Sequence, residues 1–520
     1  MQRVIQNAIY GILAAFMALF IGSSLFLRAE YNYVVYSDKP VLHQQHLLIL
    51  ALLVILLVIA SLVVYRLCLK LDRYRPQVVI PFILGISLAI QLAIIFLLPR
   101  LPTDDSQTVV SLALQMLNKG DYSTFQSGGY LYMFPFNFST VLYIKLLLWI
   151  FPDNYLVLKI FNILFTLVTT LMIYLIYKQL NSRSMSRDYG VLVFAATYIP
   201  ALLMSNFIYN DVIATTLLTA ALYAVIRFVK TRSIRYIVLA AILLALGNYF
   251  RSIGIIFLIA VIIYMLLNKR DIGWRRLLIS LGIMVALFNV PGWTQNAALQ
   301  ASGVVSEPTS THSAPVYMWL NMGMNQSTFG FWDNMLSYTI YQREAGYNKA
   351  ESIPLFQQAI RDKLSSMTPG ELAELYYKKL IWTWAEGTYQ IERYGIGNER
   401  SAGGGMGFVM GGYSYSTVAT QLFAGNSVYR SGLMWVLYAM NFLMYIFVLV
   451  RLIGAIRTRR YDEVALVLVI LGFIGFYLLW EIKSRYIYPV YPLLIILSYI
   501  GFKDVYQGLS RYIPFLGKGD

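Results

Sequence analysis

The chain has 520 residues, of which 58% are hydrophobic and only 13% charged, and it carries a formal net charge of +16. With a mean hydropathy of +0.62, this composition excludes a soluble globular protein and fits a polytopic membrane protein. One cysteine, Cys68, excludes an internal disulfide framework and a cysteine-built metal centre, and His43, His46 and His312 are too scattered for a histidine centre.

Apolar runs of roughly 20 residues, long enough to cross a bilayer, fall near 4–28, 47–69, 79–99, 155–177, 189–207, 211–229, 234–250, 252–268, 275–291, 430–452, 462–480 and 485–503. They predict an all-α polytopic membrane protein of about twelve transmembrane helices, with external juxtamembrane helices and a mostly helical external domain. The first run is long and lacks a small-residue cleavage site, so it is expected to stay as an anchor. The run from Leu131 to Phe151 is read as re-entrant or surface-lying, because it holds Pro135, Asn137 and Lys145. If it does not cross, Arg66, Lys70, Arg73, Arg75, Lys178, Arg227, Lys230, Lys269, Arg270 and Arg457 collect on one side, as the positive-inside rule requires. Both termini are then cytoplasmic, and most of the positive charge is topological, with no need for nucleic acid.

On this topology the chain divides into two additional N-terminal helices (1–77), a membrane core with its first external loop at 100–154 (78–291), an external domain (292–428), and three last helices with a cytoplasmic tail (429–520). Thr368 and Pro369 are expected to open a helix within the external domain. The glycine-rich stretch Ser401 to Gly412 lacks the Lys-Ser/Thr of a phosphate loop and reads as a loop or lid.

Five polar features reach the same external face: Asp104-Asp105, Lys145, Asn210-Asp211, Arg251, and Glu481-Ile-Lys-Ser-Arg485. A carboxylate just beyond a span is a solvated cap or a working group, and Asp211 alone could simply cap its helix. Lys483 and Arg485 alone could be headgroup anchors. Together they suit transfer from a lipid phosphate, where cations hold the phosphate as charge grows on it. A carboxylate opposite them takes the proton of the attacking hydroxyl. Phosphate leaves readily, so the acid/base pair of a glycosidase is not required, and Asp105 is left to orient the acceptor or bind a divalent ion.

These residues resemble the signatures of the glycosyltransferase C superfamily, in the branch of protein O-mannosyltransferases and the lipid A aminoarabinose transferase. Asp104-Asp105 through Gly120-Asp121 looks like the family's acidic pair and surface helix, although Asp-Glu is the usual pair. Asp211, Arg251-Ser-Ile-Gly254 and Glu481 to Pro492 are similar to later elements of that family, over roughly residues 79 to 505. The resemblance implies an inverting transferase that uses a polyprenyl-phosphate sugar donor and an extracytoplasmic glycan, lipid or protein acceptor in the cell membrane. Asp104 is then expected as general base. Arg251, Arg485 and Lys483 are expected at the donor phosphate, and Asp105, Asp211, Asn210 and Glu481 at the acceptor or a metal. Two rivals remain. A lipid-linked glycan flippase should carry mid-membrane charges, of which spans four to nine hold few, with Lys159 near an end, and internal repeats, of which none is seen. A polymerase or ligase with a diphosphate-linked donor would not require the acidic pair.

Overall fold

The computed structural model describes residues 2–510 apart from 35–36, 153, 182–186, 334 and 397–414. The glycine-rich stretch 401–412 lies outside the described residues.

The chain opens with α1 (Gln2–Phe26), a two-stranded antiparallel hairpin of β1 (Leu27–Val34) and β2 (Ser37–Gln44), α2 (Leu47–Leu71) and α3 (Pro76–Leu97). Proline can occupy a first helical turn, where its missing N–H costs nothing, and Pro76 begins α3 in this way. Next come α4 (Asp105–Asn118), α5 (Phe138–Ile150), α6 (Tyr155–Leu180), and the short α7 (Gly190–Ala196) and α8 (Ile199–Met204). They are followed by α9 (Asn210–Thr231), α10 (Ile234–Phe250), α11 (Gly254–Leu267), α12 (Trp274–Phe288) and α13 (Val290–Ala301). Beyond these lie α14 (Val316–Gly323), α15 (Lys349–Ser366) and α16 (Pro369–Leu380), the last opened by a capping box of Thr368 and Glu371. The chain closes with α17 (Val428–Thr458), α18 (Val464–Leu479), a 3-10 turn Ser484–Val490 and α19 (Tyr491–Leu509).

Among the described residues, eight helices are long and apolar enough to span a membrane, against the twelve expected. The four shortfalls have local causes. Residues 189–207 break between α7 and α8, where Tyr198 is extended ahead of Ile199-Pro200. The helices α10, α11 and α18 have 17, 14 and 16 residues, ending at the polar turns around Arg251 and Glu481. The expected re-entrant stretch is a pair of helical pieces bent by 100° between Met133 and Pro135.

The hairpin is the exception to an all-α chain. Ala29 and Tyr31 alternate on its buried face, and Tyr31 donates to the Trp382 carbonyl while Trp382 Nε1 donates to that of Val41. One large buried cluster links α1 to α19, and separate clusters lie around α4–α6, around α14 and between α2 and α17. Trp384, fully buried, stacks on Phe20 of α1, and its carbonyl accepts from Asn441 and Tyr445 of α17. Thus α1, α17 and the segment after α16 form one packed unit, and this fixes where residues 386–396 can reach.

Candidate functional site

The acidic pair sits where α3 gives way to α4. Asp105 occupies the first turn of α4, where a carboxylate complements the helix dipole, and Asp104 precedes it at φ +54°. That left-handed region is uncommon for a residue with a side chain, although aspartate is among those that tolerate it. The turn is braced by Arg100, which donates to Thr103 Oγ1 at 3.1 Å and to the Arg393 carbonyl at 2.6 Å.

Arg393 closes over Asp104. Its Nε and Nη2 donate to the two oxygens of Asp104 at 2.7 and 2.8 Å, a bidentate fork. Burial raises the Asp104 carboxyl, but the hydrogen bonds and charge of Arg393, helped by Lys483 and Arg485, hold it below the usual carboxylate range. Asp104 nevertheless keeps 36% of its side chain exposed. Asp105 accepts from Tyr130 at 3.2 Å; Asn137 donates to Tyr130 at 2.7 Å and accepts from Tyr209 at 3.0 Å. This chain of hydrogen bonds joins α4 to the start of α9.

Asp211, in the first turn of α9, is wholly buried between two arginines. It is ion-paired with Arg251 through Oδ1, and Arg485 Nη1 lies 3.6 Å from Oδ2. Arg251 comes from the tight α10–α11 turn and Arg485 from the 3-10 turn after α18, so one carboxylate gathers three distant parts of the chain. The Arg485 guanidinium lies over the rings of Tyr394 and Phe207 at 4.5 and 4.9 Å, and Arg251 over that of Tyr486 at 5.3 Å.

Glu481 is 2% exposed and accepts from Tyr486, while its second oxygen has no hydrogen-bond partner. Burial pushes its carboxyl up to about 7, against the pull of Lys483. Lys483 is half-buried and lies 5.9 Å from the face of Trp332. Asn210 is buried with an unpartnered side-chain oxygen. Of these eight residues, Asp104, Asp105, Lys483, Arg485, Asp211, Arg251 and Glu481 share one electrostatic neighbourhood, and Asn210 flanks it. Lys145 is held elsewhere, donating to Tyr122 at 2.7 Å. Among the described residues no three His, Cys, Asp or Glu side chains cluster closely enough to hold a metal ion.

Sequence reasoning missed Arg393, Tyr394 and Arg100. Arg393 is a lone arginine within Gln390-Ile-Glu-Arg-Tyr394, and no helical or strand periodicity marks it as facing a carboxylate 289 residues earlier. Its placement depends on neighbours: Glu392 pairs with Arg430 at 2.8 Å, and Asn206 donates at 3.1 Å to the carbonyls of both Leu98 and Gly395.

Residues 139–293 match a family model described as dolichyl-phosphate-mannose-protein mannosyltransferase. No curated protein matches the chain. The matched stretch runs from α5 into α13 and so takes in Asp211 and Arg251, while Asp104, Asp105 and residues 481–485 lie outside it. That match indicates a membrane glycosyltransferase of the GT-C type.

Proposed function

We propose that the chain transfers a sugar from a polyprenyl-phosphate carrier to a hydroxyl acceptor at the outer face of the cell membrane, with inversion at the anomeric carbon. The observation that carries this reading is the difference between two carboxylates. Asp104 is partly exposed and held ionised, whereas Asp211 is wholly buried between Arg251 and Arg485. A general base must reach the proton it takes, and Asp104 can.

In this reading the acceptor oxygen attacks the anomeric carbon as the bond from that carbon to the phosphate oxygen breaks. The hydroxyl proton passes to Asp104, and polyprenyl phosphate departs with the electron pair. Four cations, Arg251, Arg393, Lys483 and Arg485, gather here, and burial pushes the Glu481 carboxyl among them up to about 7. Cations so placed suit a phosphate. Lys483 and Arg485 take the donor phosphate, and Asp211 fixes Arg485 and Arg251 in register. Asp105, with Tyr130 and Asn137, orients the acceptor.

The test uses the full chain in proteoliposomes with radiolabelled sugar on either a monophosphate or a diphosphate polyprenyl carrier. Turnover of the monophosphate donor supports the proposal. Turnover of the diphosphate donor alone, or movement of intact donor across the bilayer without transfer, contradicts it.

A further inference from the structure

The structure holds a second feature at the end of the bundle opposite the acidic pair, between α2 and α3. These helices are joined by a short turn, residues 72–75, yet they lean on different neighbours. α2 packs on α7 and α17, and its Tyr65 ring meets Tyr499, Phe502 and Tyr506 of α19; α3 packs on α6, α7 and α8. A wedge of about 840 Å³ opens between them, floored by the α7 end that reaches Thr197. This lies within the roughly 300–1,000 Å³ range of small-ligand sites.

The walls of the wedge are apolar, with Leu67, Phe82 and Ile86 lining it and exposed to the surroundings of the bundle by 55, 61 and 45%. Its mouth is basic, edged by Lys70 and Arg73. The mouth is also built in place. Arg187 donates to the carbonyls of Arg73 and Tyr74 at 3.2 and 2.8 Å, and the Tyr189 hydroxyl donates to the Tyr74 carbonyl at 3.1 Å. The acids nearby are engaged inward. Asp72 accepts the Tyr189 N–H at 3.3 Å, and Asp188 takes Lys503 together with Tyr177 and Tyr499. The outward charge of the mouth is therefore positive.

From this shape and charge we infer that the α2–α3 wedge binds an anionic glycerophospholipid, its phosphate at Lys70 and Arg73 and an acyl chain along Leu67, Phe82 and Ile86. An apolar slot a few turns deep beneath Lys70 and Arg73 matches a chain beneath a charged headgroup. Each basic residue near a membrane surface favours an anionic lipid by roughly fivefold. The site stands apart from the transfer site and does not depend on the reading given for it.

The test places the full-length protein in nanodiscs of phosphatidylcholine doped with phosphatidylglycerol that carries a photoreactive acyl chain, and maps crosslinks by mass spectrometry. Crosslinks are expected to concentrate on residues 64–71 and 82–87. They should fall about 25-fold in Lys70→Gln/Arg73→Gln, as two such cations imply. Ile86→Trp, which fills the slot and leaves the cations, should lower them as well. The second variant keeps the test open should the first fail to fold. Equal labelling by a photoreactive phosphatidylcholine, labelling unchanged in both variants, or displacement by polyprenyl phosphate more readily than by phosphatidylglycerol would each overturn the inference.

Discussion

Asp104 was visible in the sequence because an acidic pair directly after a twenty-residue apolar run is unusual, whereas Arg393 was not. A salt bridge between residues 104 and 393 is a property of how α1, α17 and residues 381–396 pack, and no local pattern encodes it. The pairing has a consequence for the pH response. The folded-state carboxyl of Asp104 is lowered, so its ionised form persists to lower pH than an isolated aspartate would allow. Removing the arginine removes that hold on the carboxylate. Arg393→Gln should therefore move the acid limb of the kcat/KM profile to higher pH, and Arg393→Lys should restore part of the shift. A limb that stays in place would show that Arg393 does not hold the base.

At the scale of elements, Asp211 ties α9 to the α10–α11 turn and to the 3-10 turn before α19. The sequence marked all three residues but left Asp211 with the acceptor, because side-chain pairing across elements cannot be read from spacing. Leaving both arginines buried without their carboxylate is costly, about 3–5 kcal/mol by analogy with broken buried pairs. Asp211→Asn should accordingly lower the apparent melting temperature in detergent, and adding Arg251→Gln should recover part of the loss. Equal stability of Asp211→Asn and the parent would contradict the triad. A second joint lies where α14 meets the end of α18. A β-carbon on Gly323 would stand 2.3 Å from the Leu479 carbonyl oxygen, and Lys379 donates there to the carbonyls of Gly323, Leu478 and Trp480 at 2.7, 2.7 and 2.9 Å. Burial brings the Lys379 amine down to about 7. Gly323→Ala must push the two backbones apart at a cost of about 1–3 kcal/mol, which limited proteolysis should register as faster cleavage within residues 302–366. Unchanged cleavage would show that the joint yields freely.

For the whole molecule, composition and hydrophobic run length were enough for a helical membrane protein, and the one sheet among the described residues is the single hairpin. They were not enough for the helix count. Hydropathy sees an apolar run at 189–207 but not the geometric break ahead of Pro200, and it cannot tell a 14-residue helix from a full span when its flanks are apolar. The hairpin at 27–44 was missed because its strands are short and what holds them, Trp382, Phe331 and Tyr438, comes from distant parts of the chain. The expected sidedness is open to a direct check in a Cys68→Ser background. Ser123→Cys should react with a membrane-impermeant maleimide on intact cells, and Thr231→Cys only after permeabilisation. The reverse pattern would invert the topology.

The account rests most heavily on one carboxylate, and the measurement that tests it is sugar transfer from labelled polyprenyl phosphate by purified Asp104→Asn in proteoliposomes, beside the parent and Asp105→Asn. General-base help is worth roughly 10²- to 10⁴-fold. The account predicts a kcat loss of that order for Asp104→Asn with donor binding largely kept, and a smaller loss for Asp105→Asn. Transfer by well-folded Asp104→Asn at the parent rate would contradict it.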